Sequence, residues 1–152
     1  MLWKTHLAFG FFAGLALMPF FNKTHFALYF GLVLFGALLP DIDQENSKIG
    51  RYVPLIGKLF KHRGIVHTLW IGALICGAVW IFIGSPYGIA LMIGYVSHLV
   101  IDGFTLQGTN FLHPVAKLHL SGFIETGKVG EMVVFFLSIV GCAIFLLKYL
   151  PF

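Results

Sequence analysis

The sequence predicts an all-α fold, a polytopic membrane helix bundle of about five transmembrane helices joined by short loops. Three observations carry this. Hydrophobic residues make up 59% of the chain and charged ones 11%, with 17 phenylalanines, whereas soluble domains run near 45–50% apolar and about 25% charged. Mean hydropathy is +0.92, which excludes disorder. The length of 152 residues leaves little beyond short loops once about five spans of roughly 20 residues are drawn. A single membrane-embedded domain, 1–152, is therefore expected.

The spans are read in order at about 5–21, 24–39, 65–83, 87–104 and 129–149. The first follows Lys4 like a signal peptide, but no small-residue cleavage site follows Met18-Pro19-Phe20-Phe21, so it reads as a retained helix. Gly10 and Gly14 on it form a G-x-x-x-G that suits close helix packing. Asn22-Lys23 makes the first turn, and Gly84-Ser85-Pro86 separates the third span from the fourth. Between spans two and three, residues 54–61 mix apolar and basic side chains at helix-like spacing, as a short helix on a membrane surface does. A second irregular stretch runs over 106–128. Cys76 and Cys142 lie inside apolar runs without a C-x-x-C partner and read as packing residues.

Net charge is +4, from ten basic and six acidic residues. In a chain this apolar the basic residues mark topology, and no nucleic-acid partner is expected. With the N-terminus in the cytoplasm and the C-terminus outside, Lys4, Lys48, Arg51, Lys58, Lys61, Arg63, Lys117 and Lys128 share the cytoplasmic side. Membrane lipids are then the obligatory surroundings.

That orientation also gathers the metal-type side chains. His6 opens the first span, Asp41 and Asp43 end the second, His62 and His67 flank the start of the third, and His98 and Asp102 lie near the end of the fourth. His98 and Asp102 are four apart and share a helix face. Such groups are costly at membrane depth unless paired, ligated or lining a cavity. Imidazole and carboxylate together suit zinc, manganese or iron, and seven candidates exceed the four ligands of one tetrahedral site, so two divalent ions are expected. Asp41 or Asp43 is the candidate to orient or deprotonate a water, and Arg63 to grip a phosphate through its forked donors. His25 falls at the opposite face, His119 reads as a loop residue, and His113 is a weak further candidate.

The combination Thr5-His6, Leu39-Pro40-Asp41-Ile42-Asp43, Ser47-Lys48-Ile49-Gly50-Arg51, His62-Arg63-Gly64, Val66-His67-Thr68, Gly94-Tyr95, Ser97-His98-Leu99, Asp102 and Thr105 resembles the YdjM-like family over residues 5 to about 131. Its members are described as LexA-binding, inner-membrane-associated metal-dependent hydrolases. The resemblance implies a multi-pass protein of a bacterial or archaeal inner membrane, a metal site on His6, Asp41, Asp43, His62, His67, His98 and Asp102, and a LexA interaction by family label alone. Thr126-Gly127 with Glu131 resembles a later family segment, with Lys128 where serine is common. The ligand order is also similar, more distantly, to zinc-dependent phospholipase C. That group has a later His-x-x-x-Glu, whereas here position 127, four before Glu131, is glycine. The expected activity is hydrolysis of a phosphoester bond, with a phospholipid or lipid-linked substrate. The alternatives are a metal-ion or proton transporter using the same cluster, and a non-catalytic partner protein.

Overall fold

The computed structural model describes residues 1–21, 25–59, 63–116 and 118–149. It is mostly helical. Among the described residues the six α-helices are α1 (Trp3–Leu17), α2 (Phe26–Leu38), α3 (Pro54–Leu59), α4 (Leu69–Phe82), α5 (Ser85–Gly103) and α6 (Val129–Tyr149). Two short antiparallel strands, β1 (Thr109–Asn110) and β2 (His119–Leu120), tie the loop before α6 to itself.

Every apolar stretch read from the sequence forms a helix, but the helices differ in what they can cross. The segments Phe26–Asp43 and Val129–Tyr149 are long and apolar enough to span a membrane by length and composition. The 15 residues of α1 extend only about 22 Å at 1.5 Å per residue, short of a hydrocarbon core of about 30 Å. α4 starts four residues later than its apolar run, because Ile65–His67 forms a 3-10 turn ahead of it. α6 has only 17% of its apolar window buried within the chain, so its outer surface is left for other apolar matter.

Local chemistry sets the boundaries. Pro40 removes a backbone donor at the end of α2, and the chain tightens there into a 3-10 turn, Leu39–Asp43. α5 starts with proline in its first turn after Gly84, whose φ of 135° suits glycine and strains any other residue. In the bundle, α5 lies against α1, α2 and α4, with its most extensive contact on α2, and α6 packs against α1. α2 and α5 approach closely through two glycines. A Cβ on Gly94 would collide with the Val33 carbonyl, and one on Gly36 with the Leu91 carbonyl. Gly10 and Gly14 let α1 close on the same pair, against Ala37, Ser97, Phe30 and Val33. Cys76 and Cys142 are free and buried. Tight packing of this kind brings the ends of four helical segments to one point.

Candidate metal centre

That point is the end of the bundle where α1 begins, α2 ends, α4 begins and α5 ends. His6, Asp43, His67, His98 and Asp102 are all at most 2% exposed there, and Asp41 is 9% exposed. The imidazoles of His6 and His98 stack with centroids 3.7 Å apart and planes at 11°. His67 meets His98 edge-on at 5.3 Å.

Two overlapping donor groups result, His6 with His98 and Asp102, and Asp41 with His67 and His98. Within each, one nitrogen or oxygen per residue lies within 4.8 Å of the others, as in a site able to hold a metal ion. His98 Nε2 stands 3.7 Å from Asp41 Oδ1 and 3.7 Å from Asp102 Oδ2. His67 Nε2 stands 4.0 Å from Asp41 Oδ1 and 3.9 Å from Asp102 Oδ2. His6 Nε2 is 3.4 Å from Asp102 Oδ1.

The tautomers follow from the far side of each ring. His98 Nδ1 donates to the Ala37 carbonyl at 2.7 Å. A carbonyl can only accept, so Nδ1 carries the proton and Nε2 of neutral His98 presents a lone pair to the two carboxylates. That buried nitrogen has no hydrogen-bond partner. A lone pair facing carboxylate oxygens gains nothing by itself, and either a proton on Nε2 or a metal ion among these atoms relieves the contact. His67 Nδ1 donates to Asp43 Oδ2 at 3.1 Å, the carboxylate–histidine arrangement that orients a ligating ring. Asp43 thus supports a donor, while Asp41 is one. His6 has both ring nitrogens buried without a hydrogen bond. The donor set therefore fits a divalent ion. The two groups share His98, whose Nε2 faces both carboxylates.

Two cations also reach the cluster. Arg63 Nη2 stands 3.0 Å from Asp102 Oδ2, and the Met1 amine stands 2.8 Å from Asp102 Oδ1.

Arg63 lines the cavity beside Asp41 and Asp102 and also braces the site. Its Nη1 donates to Thr105 Oγ1 at 3.0 Å and to the Gly108 carbonyl at 2.7 Å, and its backbone N donates to Asp43 Oδ2 at 3.1 Å. Its Nη2 lies 3.0 Å from Asp102 Oδ2. His62 lies outside the described residues. His25 and His119 are exposed, and His113 belongs to neither donor group. Glu131, 2% exposed, is in neither group as well. It accepts from Thr5 Oγ1 at 2.8 Å, from Gly127 N at 2.6 Å and from Leu2 N, so it ties the start of α1, and with it His6, to α6. That role leaves no spacing signal, since Glu131 and its partners are up to 129 residues apart.

A small apolar helical bundle with a buried histidine–aspartate centre at one end is the class that fold and site define. The chain belongs to the YdjM inner membrane protein family, whose model matches residues 1–149. It is 36% identical over 110 residues to the uncharacterized protein YvsG of Bacillus subtilis, covering 65% of this chain and 66% of that one. It is 30% identical over 87 residues to the inner membrane protein YdjM of Escherichia coli, covering 51% of this chain and 44% of that one. These matches span less than two thirds of the relatives' own lengths. No solved structure matches the chain.

Proposed function

We propose that the protein is a membrane-bound, metal-dependent hydrolase that cleaves phosphoester bonds at the cytoplasmic membrane face. The observation that carries this reading is the His98 imidazole, fixed by the Ala37 carbonyl so that its lone pair meets Asp41 and Asp102. In this reading His6, Asp41, His67, His98 and Asp102 hold one divalent ion, zinc, manganese or iron by donor type. When bound, such an ion polarises a phosphoryl oxygen and acidifies water. Asp41 and Asp102 both line the open cavity beside the cluster. Asp102 is paired with Arg63 and the Met1 amine, so Asp41 is the carboxylate placed to take a proton from an entering water. Asp43 keeps His67 oriented and Arg63 keeps Asp102 oriented. The phosphoester preference draws on the order of ligands along the chain.

The topology that goes with this reading is multi-pass, with the N-terminus cytoplasmic and the C-terminus outside. A surface-facing site is favoured over an ion path, because a path needs polar groups through the membrane depth and neither α2 nor α4 has an Asp, Glu, His, Lys or Arg residue. The test uses the purified full chain, its metal content and its hydrolysis of bis(p-nitrophenyl) phosphate. His98→Ala is expected to lose both metal and hydrolysis. Unchanged metal content in that variant overturns the centre, and metal without hydrolysis of any phosphoester overturns the activity.

A further inference from the structure

A cavity of about 480 Å³ is lined by Asp41 and Asp102 of the metal centre and by Trp3, Lys48, Arg51 and Arg63. That volume exceeds the roughly 30 Å³ of a water many times over. Arg63 is paired with Asp102, and the segment with the other two cations is built onto the site. Ser47 Oγ donates to the Asp41 carbonyl at 2.7 Å and accepts from Gly50 N at 2.8 Å. The segment carrying Lys48 and Arg51 is thereby clamped to the turn carrying Asp41. A Cβ at Gly50 would strike the Gln44 carbonyl, so the clamp needs glycine there.

Lys48 Nζ lies 4.6 Å from the centre of the Trp3 ring, and the Arg51 guanidinium lies 4.9 Å from that of Tyr52. Among the described residues neither is paired with a carboxylate. Both are exposed, so their charges are kept in place by aromatic contact and remain available to an anion. Directly after Arg51, which lines the cavity, the chain exposes Tyr52, Val53, Leu55 and Leu59, an apolar strip along the sequence.

We infer that this cavity binds a phosphate-bearing anion, with Lys48 and Arg51 as the recognising cations and the phosphoryl group directed at Asp41 and Asp102. The inference deepens the hydrolase reading and rests on it for the bond that is cleaved. The phosphate belongs either to a lipid headgroup, which the apolar strip favours, or to a soluble phosphate ester. Lysine and arginine recognise both alike.

The test is calorimetric titration of the full chain in an uncharged detergent, with glycerol 3-phosphate and with dihexanoylphosphatidate as probes. Both are expected to bind, and the double substitution Lys48→Gln with Arg51→Gln is expected to weaken both by at least about tenfold. Lys58→Gln, exposed and outside the cavity, is expected to leave both unchanged. Tighter binding of dihexanoylphosphatidate assigns the lipid source, and equal or weaker binding the soluble one. Failure of both probes to bind, or wild-type affinity in the double variant, overturns the inference. The two readings fail separately. Binding that needs Lys48 and Arg51 in a protein that hydrolyses no ester supports the cavity and overturns the hydrolase. Hydrolysis with a KM untouched by the double substitution does the reverse.

Discussion

At the scale of the residue, the decisive groups are those that hold other groups. Asp43 touches the centre only through the His67 ring at 3.1 Å. Asp43→Asn keeps the volume and removes the charge, and metal affinity is expected to fall about 10–100-fold, measured by competition with a chromogenic chelator. Glu131→Gln replaces a carboxylate that accepts from two backbone amides and a hydroxyl. A loss of about 1.5–3 kcal/mol is expected for the charged hydrogen bonds, read as a lower midpoint in thermal unfolding in detergent. At this scale part of the site was legible in the sequence. His98 and Asp102 follow helical spacing, and the proline before Asp41 marks a helix end. Arg63 was legible as a phosphate-gripping candidate but not as a brace. Its φ of 60° and its grip on Thr105 and Gly108 depend on two loops meeting, which spacing along one chain does not encode.

At the scale of the element, close approach of α2 and α5 decides whether the donors meet at all. Gly94→Ala drives a methyl group into the Val33 carbonyl. Because backbone cannot move aside cheaply, a destabilisation of at least about 1–3 kcal/mol is expected, with loss of bound metal. Gly31→Ala on the same α2 meets nothing within 4 Å and is expected to be neutral or to stabilise by about 0.5–1 kcal/mol. Equal unfolding midpoints for the two variants would refute the packing argument. Helix existence was readable from apolar runs, since α6 alone has an apolar stretch of 21 residues. The 3-10 turns that bend Asp41 and His67 inward were not, because each is only a few residues long and owes its shape to what surrounds it. The same holds for the pairing of β1 with β2.

At the scale of the whole molecule, the centre, the α3 segment and the loop before α6 lie on one side in the proposed topology. Single cysteines at Lys58 and Glu125 are expected to react with a membrane-impermeant maleimide only in inside-out vesicles, and one at Ser85 only in right-side-out cells. Cys76 and Cys142 are buried, so the background is low. Labelling of Lys58→Cys from outside would reverse the orientation. Composition made the membrane legible from the outset, but span lengths correct the simplest picture. Two segments qualify outright, and α1 is short because it ends at Pro19 in a 3-10 turn, Met18–Phe20.

The donors of the centre stand at positions 6, 41, 67, 98 and 102, and this spread sets a timetable for the growing chain. At about 5–20 residues per second, the ribosome needs roughly 5–20 s after making His6 before it makes Asp102. For that interval the first helix carries an imidazole whose partners do not yet exist. No ion can be held by the full set until the fourth long helix has been made and has folded back on the first two. An ion held by that set would enter only after α5 has joined α1 and α2, and α6 is then still to be made and packed on α1.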